Sequence, residues 1–130
     1  MQTRILMTLS ALFMAVLGVV ASFMPQEVLI YTGTLPEPLL VTMVQAAGAL
    51  YLAFAMLNWM ARGVLIGGIY ARPVAAGNFV HFMIVTITLI KVLFTLRSPL
   101  LITLTAVYTV CAAWFALVIF APGGRTPKAG

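Results

Sequence analysis

The sequence predicts an all-α polytopic membrane protein, with four transmembrane helices in an up-down bundle and both termini cytoplasmic. Three observations predict it. Of the 130 residues, 64% are hydrophobic and only 7% charged, with a mean hydropathy of +1.18; a soluble domain of that composition could not keep its surface wetted. Apolar runs recur between clusters of proline, glycine and basic residues, each close to the ~20 residues that one crossing needs. The length suits one such domain over residues 1–121, with helices over about 4–23, 38–60, 73–96 and 99–120 and a flexible polar tail over 122–130.

The first helix follows Arg4 and stops before Pro25, whose missing N–H cannot continue it. A basic start, an apolar run and Val19-Val20-Ala21 loosely match a cleavable signal. The run is long for a signal core, however, and Ala11, Ala15, Gly18 and Ser22 recur at three- and four-residue steps. Such a smooth stripe lets a second helix approach closely, so the expectation is a retained, packed helix. Residues 24–38 hold both acids, Glu27 and Glu37, with Pro25, Pro36, Pro38 and Gly33. The apolar middle, 27–31, is expected to lie in the interface or fold back on the bundle, and Pro36 and Pro38 preset the next first turn.

In the second helix Gln45 is expected to point inward, because an amide in an apolar medium needs hydrogen-bond partners. Ala46, Ala49 and Ala53 make a second small-residue face, and Trp59 fits the aromatic belt at the membrane surface. Residues 61–72 form a glycine-rich connection (Gly63, Gly67, Gly68) framed by Arg62 and Arg72, expected to be irregular or interfacial.

The third helix opens at Arg72-Pro73, with proline expected at its first position. Asn78, His81, Val85, Thr88 and Lys91 share one broad face at helical spacing, and Lys91 can snorkel to the headgroups. Arg97-Ser98-Pro99 is so short a connection that helices three and four must form an antiparallel hairpin. Ser98 is the expected N-cap and Pro99 the first-turn residue. Thr105, Thr109, Ala112 and Ala116 line one side of the fourth helix.

The net charge of +5 comes from seven basic residues against two acids. With no polar scaffold to carry a groove, it points to anionic lipid headgroups rather than nucleic acid. Arg4, Arg62, Arg72, Arg125 and Lys128 fall on one side of a four-crossing chain and Lys91 and Arg97 on the other, which puts both termini in the cytoplasm. The single Cys111 excludes an intramolecular disulfide or dithiol relay and reads as a small packing residue.

The candidate ligand-binding residues are Asn58, Arg62, Tyr70, Arg72, Asn78 and His81, with Gln45, Thr88 and Lys91 as intramembrane polar positions. His81 lies about 12 Å along the third helix from Pro73 at ~1.5 Å per residue. A buried imidazole can relay protons, meet a quinone carbonyl or, paired in a dimer, ligate haem; it can equally serve as a structural group bonded to Asn58, Asn78 or a carbonyl. With no Cys, Asp or Glu close to it in the sequence it makes a poor metal site. Asn58 and Asn78 either clasp the connection between their helices or line a polar pocket with His81. Arg62 and Arg72 are lipid anchors or a clasp for phosphate or carboxylate. The two acids share the outer loop, away from any general-acid partner, and Ser10, Ser22 and Ser98 lie apart from His81 in the expected topology. No catalytic residue and no cofactor is assigned.

Phe23-Met24-Pro25, the apolar stretch to Gly33, and Gln45-Ala46-Ala47-Gly48-Ala49-Leu50-Tyr51 resemble the DoxX-like small four-helix membrane proteins of bacteria. The run 67–73, followed by Gly77-Asn78 and His81, is similar to a pattern in uncharacterised bacterial four-helix proteins. The resemblance implies an inner-membrane four-helix protein and adds no catalytic residue. Three functions stay open: an accessory or scaffold subunit that self-associates or joins a membrane-protein partner through its Ala/Gly faces; a binder of a quinone or lipid headgroup; and a small oligomeric transporter or channel.

Overall fold

The computed structural model describes residues 2–64 and 71–120. Among them every regular element is a helix: α1 (Gln2–Phe23), α2 (Pro25–Tyr31), α3 (Pro38–Ala61), α4 (Ala71–Leu93) and α5 (Pro99–Phe120). Four of these, all but α2, are long and apolar enough to cross a membrane. The four long helices lie within three residues of the expected limits, and α4 starts at Ala71, so that Pro73 is its third residue rather than its first. A proline in the first turn costs nothing there, since those N–H groups have no intrahelical acceptor. The chain divides into two compact units, Met7–Arg62 and Met1–Leu6 with Gly63–Gly130.

In Met7–Arg62, α1 ends where Met24 makes the last N–H bond to the Val20 carbonyl and Pro25 opens α2. Residues 27–31, expected either in the interface or folded back on the bundle, lie in this short helix, which packs on α3 and buries Leu29. α2 then closes with a Schellman turn: Thr34 N–H donates to the Leu29 carbonyl and Gly33 N–H to the Ile30 carbonyl, with Gly33 at φ 77°. That left-handed position favours glycine, which has no Cβ to strain it. Glu37 stands at the N-cap position of α3 without a side-chain capping bond, and Pro38 is its first residue, as Pro38 led one to expect.

α1 and α3 run antiparallel, and three contacts set their register. Asn58 Nδ2 donates to Ser10 Oγ at 3.1 Å; a Cβ on Gly18 would meet Leu52 Cγ at 2.7 Å; a Cβ on Gly48 would meet Ser22 N at 2.6 Å. The α1 stripe is therefore used as expected, with Ala11 and Gly18 buried. On α3 the buried face is Gly48, Ala55 and Asn58. Ala46, Ala49 and Ala53 are exposed, and Gln45, expected to point inward, is exposed too. The inward expectation fails because the closest approach to α1 is made at glycine, which places Gln45 beside that face instead of on it.

In Gly63–Gly130, α4 and α5 pack as the expected antiparallel hairpin. Leu96 N–H bonds to the Val92 carbonyl as the chain leaves α4, and Ser98 caps α5 by accepting from Leu101 N–H at 3.1 Å. The buried face of α4 is Ala71, Ala75, Asn78, Phe82 and Thr86, and that of α5 is Thr105, Tyr108, Ala112 and Phe115. One expected face is corrected: on α5 Thr109 is exposed and Ala116 only half-buried, while on α4 Thr88 and Lys91 are exposed. The packing is set by ring volume, and the threonines are indifferent to it: Thr88, Thr105 and Thr109 each donate to the carbonyl one turn back, at 2.7–2.9 Å, so none needs a partner helix. The expected polar tail, 122–130, lies outside the described residues.

Candidate functional site

The polar side chains of greatest burial fall into two groups, one in each unit. In the α1–α3 pair, Ser10 and Asn58 are both 0% exposed. Asn58 sits one turn from the end of α3, and helix periodicity carries it onto the face that holds Ala55 and Gly48. Its Nδ2 donates to Ser10 Oγ, and that hydroxyl donates in turn to the Met7 carbonyl at 3.1 Å. The result is a relay of two bonds from an α3 amide to the α1 backbone. Ser10 stands three residues after Met7 and four before Met14, both fully buried, so helical periodicity puts all three on one face.

In the α4–α5 pair the core is aromatic. Phe82 stacks on Phe115 with centroids 5.6 Å apart and planes 17° apart, and meets Tyr108 at 5.3 Å. His81 lies 5.9 Å from Tyr108 and 5.4 Å from Phe82, and Phe79 meets Phe120 edge-on at 5.5 Å. Such offset and edge contacts each add about 0.5–1.5 kcal/mol beyond the burial itself. His81 is half-buried, at the margin of the packed face, whereas Asn78 is fully buried and its Nδ2 donates to the Val74 carbonyl at 2.8 Å. Tyr108, 2% exposed, is the residue missing from the sequence-derived set. It follows Thr105 by three residues and precedes Ala112 by four, so the periodicity that picked out those two also reaches it. Thr86 is 6% exposed, and its Oγ1 has no hydrogen-bond partner among the described residues. It lies one turn along α4 from Phe82.

Of the candidate ligand residues, Asn58 therefore belongs to the α1–α3 pair, and Asn78 and His81 to the α4–α5 pair. The Arg62 guanidinium lies 3.8 Å above the Trp59 ring and donates to the Trp59 carbonyl. This cation–π pair stands at the end of a helix long and apolar enough to cross a membrane and holds the guanidinium over the indole. Arg72 is exposed in the first turn of α4, and Tyr70 lies outside the described residues. Gln45 on α3 and Thr88 and Lys91 on α4 are all exposed. Among the described residues no group of three His, Cys, Asp or Glu comes together to hold a metal.

Chemically, the first group can lock two helices and the second can offer an imidazole, a phenol and a hydroxyl within an aromatic wall. No protein-family model, curated protein or solved structure matches this chain.

Proposed function

We propose that the chain is a multi-pass protein of the cell (inner) membrane that acts as an accessory or scaffold subunit, with no chemistry of its own. Four crossings with both termini cytoplasmic follow from the five basic residues on one side and two on the other, and the resemblance to DoxX-like proteins agrees with this reading. The observation that carries it is the use made of the most buried polar side chains. Asn58 and Ser10, at 0% exposure, are spent on a relay that ends on the Met7 backbone. That relay fastens one helix to another. Much of the exposed helix surface is apolar, as Leu50 at 65%, Met56 at 66% and Leu117 at 66% exposure illustrate; it suits lipid tails and the helices of partners.

A second reading is favoured by Thr86. An unpartnered hydroxyl in the same helix pair as His81 and Tyr108 suits a lipophilic ligand such as a quinone or a lipid headgroup, with Asn78 and His81 as its polar contacts.

Native mass spectrometry in a mild detergent, on the wild type and on His81→Ala, separates the two. The scaffold reading expects a multimer or a stoichiometric protein partner, unchanged by the substitution. A small molecule that accompanies the wild type and is lost from an equally assembled His81→Ala overturns it in favour of the second reading.

A further inference from the structure

Gln45 is the one long polar side chain in α3 that the fold leaves without use. It is exposed, and no hydrogen bond satisfies its amide among the described residues. Thr42, one turn earlier, closes on its own helix by donating to the Pro38 carbonyl at 2.9 Å. Gln45 stands seven residues into a 24-residue helix, about 10 Å along an axis of about 36 Å. If that axis is centred on a hydrocarbon layer ~30 Å thick, the amide backbone is some 7 Å below its surface. A carboxamide there has no water to bond, and lipid tails offer it nothing.

The face around it is built for contact. Gln45, Ala49 and Ala53 follow four-residue steps and are all exposed, so a neighbouring backbone can approach closely along the ridge.

We infer that α3 pairs with α3 of a second copy of this chain, through reciprocal hydrogen bonds between the two Gln45 amides. The choice of a second copy rests on geometry and chemistry together. Copies inserted with the same topology hold residue 45 at the same depth, so a twofold axis along the membrane normal brings amide to amide without any adjustment. A carboxamide carries both a donor and an acceptor and is complementary to itself, and a twofold contact closes after two chains. A different protein would need its own polar side chain at that depth. This inference rests on the proposed membrane-spanning scaffold and names the surface by which it assembles.

The test is cysteine crosslinking in proteoliposomes, in a Cys111→Ala background that removes the only native thiol. Ala49→Cys leaves the amide intact and is expected to give disulfide-linked dimer on mild oxidation. Ala47→Cys, exposed on the other side of α3, is expected to give none. Adding Gln45→Leu to Ala49→Cys is expected to weaken dimer formation roughly tenfold, and Gln45→Asn, which keeps the carboxamide, to restore most of it. Because Gln45 is exposed, leucine leaves the monomer fold intact. Equal crosslinking from Ala47→Cys, or a yield indifferent to Gln45→Leu, overturns the inference. If native mass spectrometry still shows a multimer in that event, the scaffold reading survives and only the interface is wrong. A wild type that is monomeric and partnerless removes both.

Discussion

Asn58 shows how one polar residue in an apolar span can be turned into structure. Its amide would be costly in lipid, and the cost is met by Ser10, which hands the bond on to the Met7 carbonyl. Side-chain bonds between membrane helices are worth about 0.6 kcal/mol on average and about 1.7 at most, since the separated helices also find partners. A double-mutant cycle with Asn58→Ala and Ser10→Ala, read by SDS-titration unfolding in mixed micelles, is therefore expected to give a coupling energy in that range. Additivity within about 0.3 kcal/mol would mean that the two residues are merely neighbours. Asn58 was legible from the sequence as unusual, but its partner was not. Ser10 is a common residue in a common setting, and only its 48-residue-distant partner gives it a role. Gln45 is the opposite case: polarity was taken as a reason to face inward, yet the side chain is exposed. In a medium where every face is apolar, polarity shows that a partner is needed and not where it lies.

At the scale of the helix pair, glycine rather than hydrophobicity controls the packing of α1 on α3. A methyl on Gly48 would stand 2.6 Å from the Ser22 backbone nitrogen and 2.5 Å from its hydroxyl, while one on Gly63 would meet nothing within 4 Å. Gly48→Ala is expected to destabilise the pair by about 1–3 kcal/mol, the usual cost of overpacking. Gly63→Ala is the control and should stay within about 0.5 kcal/mol. Equal effects in the same unfolding assay would refute the close approach. The stripe on α1 could be read in advance because small residues at three- and four-residue steps have few other uses in a membrane helix. The packed side of α4 could not. Its polar positions Asn78, His81, Thr88 and Lys91 share a broad face, but the buried side is Ala71, Ala75, Asn78, Phe82 and Thr86. The rings of Phe82, Tyr108 and Phe115 need mutual contact to fill the space between two helices, and Thr88 is satisfied by the Ile84 carbonyl wherever it faces.

For the whole molecule the expectation is topological. With four crossings and the basic residues biased to one side, a reporter that matures only in the cytoplasm should be active when fused after Gly130. One inserted after Gly33, in the acid-bearing connection, should be silent. The reverse pattern, or activity at both positions, would rule out four crossings with cytoplasmic termini. The number of long helices and their approximate limits were determined by the sequence alone. Length, hydropathy and the prolines at 25, 38 and 99 act locally, through helix geometry and missing N–H groups, and need no knowledge of what packs where. The pairing of faces was decided only by tertiary structure: Ser10 with Asn58, Gly48 with Ser22, Phe82 with Tyr108 and Phe115. A helix that is apolar all round has no amphipathic period to betray its buried side, so shape and the satisfaction of a few polar atoms make that choice, and both are properties of two helices together.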